Sequence, residues 1–120
     1  ILSACFALAP GDRPAIEQAM REHRADRERK GHFLYPSAGS VFKNNRLLGG
    51  PSGKIIDALG FKGMRLGDAM VSPAHANIIV NIGQARAADV LELMRRIEKA
   101  VLERYGLPLE REILLVGDWG

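Results

Sequence analysis

A single cysteine in 120 residues, Cys5, excludes an internal disulfide and suits a reducing compartment. A chain of this length makes one domain, large enough to bury a core without covalent staples. No apolar run approaches the roughly 20 residues a membrane-crossing helix needs. Cys5, His23, His32 and His75 lie at no metal-ligand spacing, so nothing supports a bound metal. There is no Gly-x-Gly-x-x-Gly loop for a dinucleotide, no internal repeat and no low-complexity tract. Ile1 is not a start methionine, and Ile1 to Ala9 lacks the basic start of a secretion signal. Residues 1–9 read instead as a strand carried over from a preceding domain, with residues 10–120 as the domain proper.

Positive charge is in slight excess, a net +3, which invites a nucleic-acid partner. The pattern argues against one. Arg13, Arg21, Arg24, Arg27, Arg29 and Lys30 are interleaved with Glu17, Glu22, Asp26 and Glu28 at helical spacing. Such mixing makes i,i+4 pairs on a solvated face, not a stripe that tracks phosphates. No helix-turn-helix, aromatic ribonucleoprotein motif or paired Cys/His finger accompanies it.

What is present divides into short elements. Asp12 is placed to cap a helix with Pro14 in its first turn, running to about Lys30 before Gly31 stops it. Ile16 and Met20 give that helix only a thin apolar face. Leu34 to Asn44 reads as two extended pieces around a Gly39 turn. After the loop Gly49-Gly50-Pro51-Ser52-Gly53, Lys54 to Leu59 reads as a short helix closed by Gly60. Met64-Arg65-Leu66, Ala69-Met70-Val71 and Ile78-Ile79-Val80 are strand-like runs between Gly and Pro signals. Ala87 to Tyr105 is a helix with Val90, Leu93, Met94, Ile97 and Val101 on one stripe, capped by Gly106. Glu112 to Val116 reads as a last strand. Helices and strands mix without βαβ periodicity, so the expected class is α+β: one domain, a mostly antiparallel sheet and two longer helices packed against it.

The segment Tyr35-Pro36-Ser37-Ala38-Gly39-Ser40-Val41-Phe42-Lys43-Asn44 carries the most chemistry. On a strand, Ser40, Phe42 and Asn44 share one face while Val41 and Lys43 take the other. A hydroxyl and an amide flanking an aromatic ring suit a polar ligand against an apolar wall. The same spacing is also what an ordinary turn into a half-buried strand looks like.

The continuation resolves that choice. Pro36 to Asn44 is followed in order by Ile56-Asp57-Ala58-Leu59-Gly60-Phe61-Lys62-Gly63, then by Gly67-Asp68-Ala69-Met70-Val71-Ser72 with His75-Ala76-Asn77-Ile78-Ile79-Val80-Asn81. Leu109-Glu110-Arg111-Glu112-Ile113 with Val116-Gly117 completes the series. These four blocks resemble the substrate-binding domain of the UDP-N-acetylenolpyruvoylglucosamine reductase family. The resemblance covers nearly the whole chain. It implies the C-terminal part of a bacterial, cytoplasmic oxidoreductase of peptidoglycan synthesis, UDP-N-acetylmuramate dehydrogenase. That enzyme reduces UDP-N-acetylglucosamine enolpyruvate with NADPH through FAD, held mainly by an upstream FAD-binding domain. Residues 1–9 then become the strand that closes that domain, and the isolated chain is expected to be inactive. No nucleic acid and no membrane belong to this expectation.

By the same resemblance, Ser40 aligns with the serine that protonates the substrate, and Glu112 with the glutamate that stabilises the enol, with Glu110 as its alternative. Asn44 aligns with a substrate-contacting asparagine, and Lys43, His75 and Asn77 are grouped with it as substrate-binding residues. Lys62, Arg65 and the Gly67-Asp68 turn are candidates for approaching the diphosphate. Two departures stand out: Asn45 replaces the family's proline, and the family's third catalytic group, an arginine of the FAD-binding part, has no counterpart here. The compact His75-Ala76-Asn77 block is similar to the subtype without a tyrosine-bearing lid. A module of another class stays open beside the enzyme: a stand-alone nucleotide-sugar-binding or interaction domain.

Overall fold

A computed structural model describes residues 2–29 and 34–119, and the chain divides into two compact units, residues 1–32 and 33–120. In the first, the Asp12 carboxylate accepts from the Ala15 N–H at 3.0 Å and caps helix α1 (Arg13–Arg29). The interleaved charges pair along the helix as their spacing predicts, Arg13 with Glu17 at 2.7 Å and Arg24 with Glu28 at 2.9 Å. The helix buries none of its residues. Its expected stop at Lys30 and Gly31 lies outside the described residues, as does Ile1. Residues 2–9 are exposed and take part in no strand pairing among the described residues.

The second unit is an α+β fold. Strands β1 (Ser37–Ser40), β2 (Arg65–Leu66), β3 (Ala69–Val71) and β4 (Ile78–Asn81) form one antiparallel sheet in the order β1-β4-β3-β2. Helix α3 (Ala87–Tyr105) lies against β2 and β3, and the short helix α2 (Ser52–Ala58) packs on α3. The predicted stripe of α3 is the packing face. Leu93, Met94, Ile97 and Val101 are fully buried, and they meet Ile55, Ile56, Phe61, Ala69, Val71 and Ile79 in one apolar cluster. Gly106 ends α3 in the left-handed conformation, its N–H bonded to the Leu102 carbonyl. Among the described residues no helix is long and apolar enough to cross a membrane.

Three local expectations are corrected. Gly39 does not divide Leu34–Asn44 into two pieces. It sits inside β1 at φ +85°, where the pairing with β4 slips between Ser37 opposite Val80 and Ser40 opposite Ile78. A bulge of this kind uses glycine's freedom at positive φ to re-aim the residues after it. Helix α2 begins at Ser52, two residues before Lys54, because a single 3₁₀ turn at Arg46–Leu48 shortens the loop ahead of it. The strand expected over Glu112–Val116 is absent. Only Arg111 pairs, as an isolated bridge to Phe42. Beyond it Leu114 and Val116 are 87% and 84% exposed, with no neighbouring strand to bond.

Candidate active site

The bulge at Gly39 shifts the register of the serine strand on β4, and the residues after it build the site. Val41 and Phe42 are both buried. Past Ser40 the backbone reaches across once more, the Val41 N–H donating to the Asn77 carbonyl at 2.9 Å, and for Phe42 the Asn77 side chain takes over. Its Oδ1 accepts from the Phe42 N–H at 2.9 Å and its Nδ2 donates to the Phe42 carbonyl at 2.8 Å. On the opposite edge the 110–112 segment supplies the ladder. Lys43 N–H donates to the Glu110 carbonyl, and Glu112 N–H to the Val41 carbonyl, each at 2.8 Å. Phe42 is thus clamped from two sides.

Ser40, Phe42 and Asn44 line one cleft of about 400 Å³, as the alternation along the strand predicts. Glu112 lines the same cleft, brought to Ser40's neighbourhood by its backbone bond to Val41. The volume is in the range of pockets for small organic ligands. A second concavity shares Ser40 and Glu112 and is otherwise walled by the apolar residues Ala38, Ile113 and Leu114. The hydroxyl and the carboxylate therefore stand where two hollows meet.

Asn44 accepts at Oδ1 from the Ser52 N–H at 3.0 Å, and the Ser52 hydroxyl donates to the Lys43 carbonyl at 2.6 Å. Ser52 is completely buried. This pair ties the start of α2 to the serine strand and fixes Asn44 in the cleft wall. Lys43 lies on the other face, as expected, and does not line the cleft. Its ammonium is bonded to Glu110, which raises its pKa above the ordinary lysine value. The Glu110 charge and, more weakly, that of Glu112 add to the shift. This pairing engages Glu110, which does not line the cleft, whereas Glu112 does.

His75 and Asn77 line the far wall. The His75 Nδ1 accepts from the Asn77 N–H at 3.3 Å, which puts the proton of a neutral ring on Nε2. Gly53, in the first turn of α2, faces this ring so closely that an added Cβ would stand 3.0 Å from His75 Cε1. Lys62 reaches the cleft, bonded to Asp57 at 2.7 Å. Arg65 and Asp68 do not. Arg65 donates to the Gly67 carbonyl and to the Asp68 carboxylate, both at 2.6 Å, and Asp68 also accepts from the Gln84 N–H at 2.8 Å. That network fixes the β2–β3 turn against the segment leading into α3, away from the cleft.

Lys54, Asp57 and Gly53 also line the cleft, and none of them carries a sequence-predicted role in the site. Their only signal is position: they fall on the first turns of a helix that a glycine- and proline-rich loop delivers beside Asn44. Lys54 makes no ion pair among the described residues, so its cation is available to an anionic ligand.

An antiparallel α+β domain with a hydroxyl, a carboxylate, an amide and an unpaired lysine converging on one cleft defines a binding domain for a polar, anionic ligand at which proton transfer is chemically feasible. A family model described as UDP-N-acetylenolpyruvoylglucosamine reductase, C-terminal domain, matches residues 30–116. The chain belongs to that family. It is 46% identical over its full length to the UDP-N-acetylenolpyruvoylglucosamine reductase of Treponema denticola, covering 37% of that protein. It is 48% identical to UDP-N-acetylenolpyruvoylglucosamine reductase 2 of Symbiobacterium thermophilum, again covering 37%. The crystal structure of the Thermus caldophilus UDP-N-acetylenolpyruvylglucosamine reductase is similar over 87% of this chain and 36% of that one, with a TM-score of 0.61 at 48% identity. The chain therefore spans little more than a third of the length of these relatives.

Proposed function

We propose that this chain forms the substrate-binding part of an FAD-dependent reductase that converts UDP-N-acetylenolpyruvoylglucosamine to UDP-N-acetylmuramate, with NADPH as reductant, in the cytoplasm of a bacterium. One observation carries the proposal. In a chain of this family, Ser40 and Glu112, far apart in sequence, converge on one cleft whose other walls mix apolar side chains with Asn44, His75, Lys54, Lys62 and Asp57.

Reduction of an enol ether adds a hydride to one vinyl carbon and a proton to its neighbour. FAD, held mainly by the rest of the protein, supplies the hydride when bound. The residues here fit a flat apolar ring beside the reacting groups, since Ala38, Ile113 and Leu114 wall the second hollow at Ser40 and Glu112. The chain's own residues do the remainder. Ser40 Oγ–H delivers the proton, and Glu112 assists stabilisation of the enol. Asn44 Nδ2 and Lys54 Nζ orient the sugar nucleotide, with Lys62 and Asp57 at the rim. Residues 2–9, exposed and unpaired here, pair with the preceding FAD-binding domain.

The test is the protein of the full reading frame beside the 120-residue chain. The full protein is expected to purify yellow, with one flavin, and to oxidise NADPH when the UDP-sugar enolpyruvate is added. The chain alone is expected to be colourless and inactive, yet to be stabilised by millimolar UDP-N-acetylglucosamine derivatives. A flavin-free full protein, or turnover by the chain alone, contradicts the proposal.

A further inference from the structure

Asn77 lies at the cleft wall, where an amide facing a ligand is the simplest assignment, yet its hydrogen bonds point elsewhere. Its Oδ1 and one Nδ2 hydrogen are both occupied by the backbone of Phe42, 35 residues away, at 2.9 and 2.8 Å. Its residue is only 4% exposed. An amide that accepts from an N–H and donates to the C=O of the same residue mimics the peptide group of a neighbouring strand. It does so where the backbone ladder to β4 runs out: Ser40 is the last residue in register, opposite Ile78, and the last backbone bond is Val41 N–H to the Asn77 carbonyl at 2.9 Å. The other edge of Phe42 is the bridge to Arg111, whose flanking bonds hold Glu112 N–H on the Val41 carbonyl. Phe42 lies midway between Ser40 and Asn44 on their shared face, and the residue is 1% exposed.

We infer that Asn77 is a positioning residue for proton transfer, acting through the Phe42 backbone on Ser40, and is not a contact to substrate. The inference rests on the proposed reductase function. The amide carries the β4 side of the ladder one residue further, without a strand's bulk. The sheet edge is satisfied while the cleft stays open beside it. An unsupported Phe42 would free the Ser40–Asn44 segment to shift, and displacement of a reacting group by about 1 Å costs on the order of 100-fold in rate.

Asn77→Asp keeps the shape and the acceptor but sets a carboxylate oxygen against the Phe42 carbonyl, and Asn77→Ala removes both bonds. Each is made in the full-length protein, alone and with Ser40→Ala, and followed by half-reaction kinetics. Flavin reduction by NADPH serves as the check of folding, and either variant that passes it decides the question.

For Asn77→Asp we expect flavin reduction unchanged and substrate Kd within about threefold. Reoxidation by the enolpyruvyl substrate is expected to slow roughly 10- to 100-fold. In the Ser40→Ala background the same substitution is expected to add less than about threefold, since a residue acting through Ser40 has little left to disturb. A raised Kd with normal reoxidation makes Asn77 a direct ligand contact and overturns the inference. So does a fully additive loss in the double variant, or normal reoxidation with only a lowered Tm. A Ser40→Ala protein that reoxidises normally instead removes the reductase assignment of this site, and the inference with it.

Discussion

Single residues decide the shape of this domain at two glycines and one buried hydroxyl. Gly67 sits at φ +56°, and a Cβ there would stand 2.8 Å from the Asp89 carboxylate. Gly39 has φ +85° with nothing within 4 Å of the Cβ position, so only its backbone is at stake. Alanine at positive φ costs about 1–3 kcal/mol. Gly67→Ala carries that strain plus a clash that displaces Asp89 from Arg86. We predict that Gly67→Ala lowers stability toward the top of that range and clearly more than Gly39→Ala, in parallel urea unfolding curves. Equal losses would mean that the carboxylate moves aside freely. At Ser52, loss of the hydroxyl leaves the Lys43 carbonyl without its 2.6 Å donor. Ser52→Ala is expected to cost about 1–2 kcal/mol and to weaken ligand binding through Asn44. A variant as stable as the parent protein would dismiss the tie between α2 and the serine strand.

Elements rather than residues explain why Glu112 is where it is. The 110–112 segment is held on one side by the Phe42 bridge and on the other by α3, where Glu98 receives Arg111 through two bonds, Nε to Oε1 at 2.5 Å and Nη2 to Oε2 at 2.8 Å. The pair is about a third exposed or less, and the Glu98 contact raises the Arg111 pKa above its ordinary value. A bidentate, partly sheltered pair outweighs the surface pairs of α1. We predict that Glu98→Gln costs about 1 kcal/mol in denaturant midpoint. It should also slow reoxidation of the full protein's flavin while leaving its reduction by NADPH untouched. Unchanged reoxidation would show that Glu112 does not depend on this anchor.

This is also the scale at which the amino-acid sequence is least legible. Helix α3 is readable to its ends, because a stripe from Val90 to Val101 and a Gly106 cap are local signals. The shared face of Ser40, Phe42 and Asn44 is readable for the same reason. The run Ile113-Leu114-Leu115-Val116 looks equally like a strand, but a strand exists only by its partner. The ladder here ends after one bridge. The role of Asn77 as a backbone mimic is invisible for a related cause: it depends on a bulge in a different strand. Lys54 escapes notice because only the loop after Asn44 decides which side of α2 faces the cleft. Lys62 and Arg65 look alike in sequence, and the turn network of Asp68 separates them.

At the scale of the whole molecule, acid should reveal two carboxylates near the start of α3, Asp68 tying the β2–β3 turn to Gln84 and Asp89 holding Arg86 at the helix start. The Gln84 N–H, and then Arg65, hold the Asp68 pKa below the usual carboxylate value, and Arg86 does the same for Asp89. Folded carboxyls with lowered pKa bind protons more weakly than unfolded ones. Their contribution is therefore complete above about pH 4 and is lost as the pH falls through the lowered folded values. Asp68→Asn and Asp89→Asn should therefore each destabilise at pH 7 and converge on the parent protein near pH 2, by urea midpoints. A cost as large at pH 2 as at pH 7 would assign both residues a role independent of charge.

The central claim is that a serine after a strand bulge gives a proton to a substrate held in this cleft, and stopped-flow kinetics of Ser40→Ala in the full-length protein test it most directly. Flavin reduction by NADPH and substrate Kd should stay near the parent values. Reoxidation by the enolpyruvyl substrate should slow by about 10²–10⁴-fold, Ser40→Cys should recover part of that loss, and Ser37→Ala should have little effect. Ser40→Ala reoxidising as fast as Ser37→Ala would make Ser40 an ordinary strand residue and contradict the account.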